Sequence, residues 1–259
     1  MYSLDGDLMN TGIQNEFDFV LALNCKKIEE LNPMLLELIY EMFGNVNNNE
    51  IIKAWRNHFN QKTDILIKIG EKVRRISIKM GSRNSVHEES LITFVAFLRE
   101  NKIPEKIIRK YLLFHYGDGT INGTGVVRNN SIFLRNVLKD DINDINYYLN
   151  NHSFIKSVCN RFIIKGLIFD DKIDALIYGT PNDFLWIKRN DIYAIMKKKM
   201  CKYSSSPHIG FLTIQPLNRC INYNYKYEYA RHKIQLKWYS LFDDIIDFMN
   251  DKASSKLIT

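Results

Sequence analysis

The sequence predicts a mixed α/β (α+β) fold, and three observations carry that prediction. The first is a pair of β-rich runs, Ile65-Leu66-Ile67-Lys68-Ile69 and Lys72-Val73-Arg74-Arg75-Ile76, separated only by Gly70-Glu71. A two-residue connection with glycine first reads as a hairpin closed by a type II′ turn. The second is apolar spacing of about 3.6 residues on either side of that hairpin, around Ile13, Val20 and Leu23 and around Leu91, Val95 and Leu98. The third lies in the second half, where helical patterns over 131–149 and 154–164 precede two short β-rich runs at 174–178 and 184–188.

Taken in order, residues 13–23 form an amphipathic helix, and residues 34–43 form another that Gly44 closes. A polar loop follows over 45–49, and 50–59 reads as a third helix. After the 64–79 hairpin, the basic loop Gly81-Ser82-Arg83-Asn84 leads into a helix over 86–100. Pro104 opens a helix to residue 111, which passes into a short strand at 112–116. The segment 117–125 is the densest in glycine but lacks the Gly-Lys-Ser/Thr ending of a phosphate-binding loop, so it reads as a turn or domain junction. Residues 1–125 are therefore expected to form a core. Residues 126–259 form a mixed helix/strand region for recognition or oligomerisation, separate from the core or integrated with it. Helices followed by a hairpin are similar, by analogy alone, to winged-helix DNA readers. Lys197-Lys198-Lys199 ends a further helix, where positive charge suits the dipole.

Composition sets the class of partner. The 259 residues are 46% hydrophobic with a net charge of +7, compatible with a polyanion, although abundant Asn, Ile and Lys discount that signal. Cys25, Cys159, Cys201 and Cys220 show neither CxxC nor zinc spacing and imply free thiols in a reducing cytoplasm. Residues 1–7 lack a secretory signature, and no apolar run approaches the length of a membrane span, so the chain is expected to be soluble and cytoplasmic. There is no Gly-x-Ser-x-Gly elbow, no His-Glu-x-x-His, no dinucleotide fingerprint, and no ligand spacing among the six histidines.

Counting outward from Gly70-Glu71 places Asp64 opposite Ser77. Side chains alternate with period two, so Asp64, Ser77 and Lys79 share one face, while Ile65, Ile67, Ile69, Ile76 and Ile78 share the other. An acid, a hydroxyl and a lysine gathered behind an all-isoleucine face read as a site.

Those residues resemble the signature of the PD-(D/E)XK nuclease superfamily, the restriction-endonuclease-like fold. There, an acidic residue near the start of one strand faces an acidic-x-lysine triplet on its neighbour. Thr63 stands where the family often has proline, and Ser77 where it usually has a second carboxylate. One branch reads Ser-x-Lys and takes the missing carboxylate from the following helix, where this chain offers Glu88 and Glu89. The resemblance covers about residues 10–100. It implies a small mixed sheet flanked by helices, with Asp64, Ser77, Lys79, Glu88, Glu89 and Glu16 as catalytic residues. It also implies Mg²⁺, with Mn²⁺ as the alternative ion, held by Asp64 and by Glu88 or Glu89. A bound Mg²⁺ supplies charge stabilisation and an activated water to phosphodiester hydrolysis. Lys79 would orient the attacking water, and Ser77 would at most hydrogen-bond a metal-bound water.

Several of these positions have a second reading. Taking Leu91, Ile92, Val95 and Leu98 as the buried stripe, Glu88 falls inside it and Glu89 at its edge, yet Ser85-x-x-Glu88 also has capping-box spacing. Glu16 is either an active-cleft glutamate on the first helix or an acid near a helix N-terminus. Asn222 to Tyr229 alternates tyrosine with polar residues and reads either as a nucleic-acid surface or as an amphipathic strand packed on the core. Arg83, Asn84, Arg219, Arg231, Lys233, Gln235 and Lys237 are the candidate DNA contacts. Asp174 with Gln235-Leu236-Lys237 is a rival catalytic set.

Together these features point to a Mg²⁺-dependent endonuclease on double-stranded DNA, of the type II site-specific restriction class. Cutting both strands calls for a homodimer or tetramer, and a restriction system adds a cognate DNA methyltransferase. The alternatives are a repair or junction nuclease of the same fold, or a non-catalytic DNA-binding protein with a winged-helix-like module.

Overall fold

The computed structural model describes residues 11–59, 62–81, 84–166, 171–201 and 203–256. The elements run α1 (Thr11–Leu23), α2 (Pro33–Phe43), β1 (Lys53–Arg56), β2 (Ile65–Ile69), β3 (Lys72–Lys79), β4 (Ser85–Ser90), α3 (Leu91–Glu100) and α4 (Glu105–Tyr116). They continue α5 (Ser131–Val137), α6 (Lys139–Leu149), α7 (His152–Val158), β5 (Ala175–Thr180), β6 (Asp183–Lys188) and α8 (Arg189–Lys198). Last come β7 (His208–Ile209), β8 (Leu212–Pro216), β9 (Lys233–Lys237) and α9 (Leu241–Lys256). The class is the mixed α+β one expected, with two sheets flanked by helices.

The chain falls into two compact units, one of residues 1–82, 164–191 and 242–259, the other of 83–163 and 192–241. Neither unit ends at residue 125. The first unit holds a five-stranded sheet in the order β1-β2-β3-β5-β6. Its hairpin has the expected register, with Ile69 opposite Lys72 and Ile65 opposite Ile76. Gly70 takes φ 55° at the turn, a value open to glycine without a Cβ penalty. The isoleucine face is core: Ile65, Ile67, Ile69, Ile76 and Ile78 pack with Phe19, Leu23, Leu38, Ile39 and Phe184.

Three expectations fail in this unit, the first two because strand pairing outweighs a local pattern and the third by a shift in helix phase. Residues 50–59 are not a helix; Ile52 and Ala54 are buried on alternate positions, and β1 adds antiparallel to β2. The β5–β6 hairpin is not the wing of a separate module. It joins the site sheet through parallel pairing of β5 with β3, Ser77 opposite Leu176 and Lys79 opposite Tyr178. The buried stripe of α1 runs through Asn15, Phe19 and Leu23, one position off the expected one, so Glu16 sits at its flank.

The second unit holds a four-stranded antiparallel sheet in the order β4-β9-β8-β7. Its core includes Phe94, Phe97, Tyr111, Phe154, Phe162, Ile234 and Trp238, all buried. The helix expected over 86–100 begins only at Leu91. Ser90, not Ser85, is its N-cap, with its hydroxyl accepting from the Thr93 N–H at 3.1 Å. Residues 85–90 pair with β9 instead. The strand expected at 112–116 is the last turn of α4, closed by Gly117 in the left-handed region. The 131–149 helix breaks at Leu138 into α5 and α6. Among the described residues no helix is long and apolar enough to cross a membrane, and all four cysteines are free thiols.

Candidate active site at the end of a β-hairpin

Asp64 stands one residue before β2, where the ladder to β3 runs out. Its backbone N–H donates to Ile76 O at 2.9 Å, and its backbone carbonyl accepts from the Asn57 N–H at 2.9 Å. The side chain then takes over from the ladder. Oδ2 accepts from the Ile78 backbone N–H at 2.6 Å, from Ser77 Oγ at 3.0 Å and from Lys79 Nζ at 3.4 Å. Lys79 Nζ also donates to its neighbour's carbonyl, Ile78 O, at 3.0 Å. All three contacts converge on Oδ2, and Oδ1 carries none of them. Ser77 is buried, while the Lys79 and Asp64 side chains keep 23% and 18% exposure, enough to meet a substrate. The acid, hydroxyl and lysine thus lie side by side, as the hairpin register requires.

A second carboxylate comes from α1. Asn15, buried beside it, donates through Nδ2 to Gly179 O at 2.8 Å and ties the helix to β5. Gly179, at φ 131°, has no room for a side chain: a Cβ there would meet Asp183 O at 2.3 Å. The next residue, Glu16, accepts from Arg56 Nε at 2.7 Å, and the Arg56 guanidinium lies 4.4 Å from the centre of the Phe17 ring. Burial raises the Glu16 carboxyl above its ordinary value against the opposing Arg56 bond, and the Asp64 charge adds to the rise while Lys79 lowers it. Glu16 therefore feels the charges of Asp64 and Lys79.

Thr63 is anchored as well. Its Oγ1 donates to Asp171 Oδ1 at 2.5 Å and its backbone N–H to Asp171 Oδ2 at 3.2 Å, both buried. Asp171 also faces Arg75 Nε at 3.7 Å. A proline could make neither bond to Asp171, so threonine at this position ties residue 63 to a segment far along the chain.

Two carboxylates of this unit, Asp64 and Glu16, are close enough for the charge of the first to act on the second. Among the described residues no three His, Cys, Asp or Glu side chains gather as a metal cluster. Mg²⁺ is held by one or two carboxylates with waters and substrate phosphate, so two carboxylates fit its chemistry.

The helix-borne carboxylate does not exist in the form expected, because Glu88 and Glu89 lie on a strand of the second unit. Glu88 accepts from Lys233 Nζ at 2.9 Å. Glu89 is buried, accepts from Arg161 Nη2 at 2.8 Å and has His87 Nε2 at 3.3 Å. The capping box is likewise unformed, since Ser85 pairs with Lys237 in the sheet.

The candidate DNA contacts divide sharply by exposure. Arg83 lies outside the described residues. Asn84 is buried, and its carbonyl accepts from the Trp238 N–H at 2.9 Å. Arg231 is interior, its guanidinium bound to Asp118 Oδ2 and Glu228 Oε1, each at 2.8 Å. Arg219 donates to Phe114 O at 2.9 Å. Gln235 is joined to Gln215 at 3.4 Å, and Lys233 and Lys237 lie over the rings of Tyr229 and Tyr239. Residues 225–232 form a 3-10 helix, so the tyrosine alternation is not a strand packed on the core; Tyr223, Tyr225, Tyr227 and Tyr229 are exposed. The rival set is split between units: Asp174 Oδ2 accepts from the Arg75 N–H in the first, while Gln235 and Lys237 belong to the second.

Sequence reading missed Arg56, Asn15 and Asp171. Arg56 was hidden by the helical reading of 50–59, although period-two burial of Ile52 and Ala54 marks a strand. Asn15 and Asp171 carry no local signal, because their partners lie 164 and 108 residues away.

No protein-family model matches the chain, and no curated protein matches it. Among solved structures the chain is similar to the crystal structure of restriction endonuclease MspI in complex with its cognate DNA. The likeness has a TM-score of 0.47 and 15% identity, over 88% of this chain and 91% of that one.

Proposed function

We propose that the chain is a metal-dependent deoxyribonuclease that hydrolyses phosphodiester bonds at the Asp64–Lys79 site. The observation that carries this reading is the convergence of Ser77, Ile78 and Lys79 on one oxygen of Asp64, with Glu16 in electrostatic reach. A Mg²⁺ or Mn²⁺ ion bound to Asp64 and Glu16 would supply Lewis-acid stabilisation of the phosphate charge.

The chain's own residues do the rest. The Ile78 N–H and Ser77 hydroxyl fix the Asp64 carboxylate, leaving Oδ1 for a ligand. Lys79 places its ammonium beside that carboxylate, where it orients an attacking water and lowers the cost of deprotonating it. Arg56 holds Glu16 and balances its charge. Ser77 is a positioning residue in this scheme.

The finer reading is a type II site-specific restriction endonuclease on double-stranded DNA. It would work as a homodimer or tetramer, because two strands need two sites, and beside a cognate DNA methyltransferase. The net charge of +7 and the exposed tyrosines with Lys226, Lys233 and Lys237 support a nucleic-acid partner.

The test is incubation of supercoiled plasmid with the full chain in Mg²⁺, in Mn²⁺ and in EDTA. Discrete fragments only with metal support the site-specific nuclease, and a smear supports a repair-type nuclease. A gel shift without cutting in either metal would leave a DNA-binding protein and remove the enzyme.

A further inference from the structure

The buried and half-buried arginines of the second unit, Arg128, Arg161, Arg219 and Arg231, have carboxylate partners, with one exception. Arg128 binds Glu228, Arg161 binds Glu89, and Arg231 binds Asp118 and Glu228. Arg219 instead donates to a carbonyl, Phe114 O, and lies 5.0 Å from the centre of the Phe114 ring. Its Nε, like those of Arg128, Arg161 and Arg231, is buried with no hydrogen-bond partner, but Arg219 has no carboxylate among the described residues to offset its charge. Burial pushes the guanidinium down to about 10, and the positive charge of Arg135 pushes the same way. A desolvated cation beside a second cation is costly unless an anion joins them.

The place for one is present. Arg219 and Arg135 line a cavity of about 270 Å³, together with the hydroxyl residues Ser131 and Thr213 and the apolar residues Phe114 and Ile214. Its lining residues, all of them described, include no Asp or Glu. Two arginines suit the oxygens of a phosphate, hydroxyls add neutral donors, and the aromatic and aliphatic wall suits a planar base.

We infer that this cavity is a nucleotide-binding site, taking a phosphate ester between Arg135 and Arg219 and a nucleobase against Phe114 and Ile214. The same chemistry is offered by a free mononucleotide and by one nucleotide of a DNA strand. The inference does not depend on the Asp64 site being catalytic.

Thermal melting of the full chain without divalent cation tests it. The probes are inorganic phosphate, the four 2′-deoxynucleosides, their 5′-monophosphates, and a short single-stranded oligodeoxynucleotide. A nucleotide probe at about one hundred times its Kd should raise Tm by about 5 °C or more. Inorganic phosphate and the nucleosides should bind at least about tenfold more weakly, since each offers half of the ligand. Arg219→Met and Arg135→Gln should each weaken nucleotide binding by about tenfold or more. The Tm of Arg219→Met itself should hold or rise, because an uncompensated buried cation is gone. A shift with mononucleotides identifies a free ligand, and a shift with the oligonucleotide alone identifies a strand. No shift with any probe overturns the site, as does inorganic phosphate matching the nucleotides. Full affinity retained in Arg135→Gln also overturns it, even if Arg219→Met fails to fold.

Discussion

Ser77 Oγ donates to Asp64 Oδ2 at 3.0 Å across the end of the β2–β3 ladder. The serine that replaces the expected second carboxylate thus supports the first one. A carboxylate at position 77 would face Asp64 across the same gap and repel it unless a cation lay between them.

Removing the charge at the site should abolish cutting while sparing the fold. Asp64→Asn keeps an oxygen to accept from the Ile78 N–H, so a loss of cleavage of about 10³-fold or more reports the missing charge. Lys79→Ala should lose about 10²- to 10⁴-fold. Both variants should still shift DNA in a gel, and full cleavage by either would remove the assignment.

Ser77→Ala should be milder. One hydrogen bond to a charged group is lost, about 1.5–3 kcal/mol at most, and the Ile78 N–H still holds Asp64. Urea unfolding should show that loss while cleavage falls less than in the Lys79 variant. A fully inactive Ser77→Ala would mean that the hydroxyl takes part in the chemistry.

Glu16 gives a pH-dependent signature. Its folded value lies above the ordinary glutamate value, chiefly through burial, so the folded chain binds that proton more tightly than the unfolded one. The resulting stabilisation is complete below the unfolded value and is lost as pH rises through the folded one. Glu16→Gln, which can still accept from Arg56, should therefore raise Tm at pH 7. The gain should vanish near about pH 4, where the native carboxyl is protonated. Melting curves across that range check the sign, and a Tm lowered at pH 7 would contradict it.

The two glutamates of β4 should behave as structural groups. Glu89→Gln weakens a buried pair with Arg161, whose side chain keeps 21% exposure, so the cost is about 2–3 kcal/mol. Glu88→Gln loses an exposed pair with Lys233 and should cost under about 1 kcal/mol. Urea denaturation gives both numbers. Cleavage should persist in each variant at temperatures where it stays folded, and loss of activity in a stably folded Glu88 or Glu89 variant would restore a metal-binding role.

Asn15→Ala should cost about 1–2 kcal/mol by freeing α1 from Gly179 O. Cleavage should fall with it, since Glu16 follows directly in the chain. Unchanged cleavage in the folded variant would show that the Asn15 bond does not position Glu16.

What the sequence determined is whatever depends on neighbours a few residues apart. Two β-rich runs around Gly70-Glu71 can pair in one register only if the isoleucines are to share a face, and that register puts Asp64, Ser77 and Lys79 together. Glycine at 44 and asparagine before Pro33 bound α2 for equally local reasons. Long-range pairing decided the rest. The run Ser85 to Ser90 satisfies a helix start or a strand equally well by itself, and only β9, some 145 residues away, supplies the hydrogen bonds that choose strand. That choice set Glu88 and Glu89 on a strand, where they pair with Lys233 and Arg161, and not on the helix the local pattern suggested. Arg56 reached the site through β1 pairing with β2, and Thr63 found Asp171 across 108 residues. Backbone groups must be satisfied somewhere, and where two local answers are close in energy the partner strand selects between them.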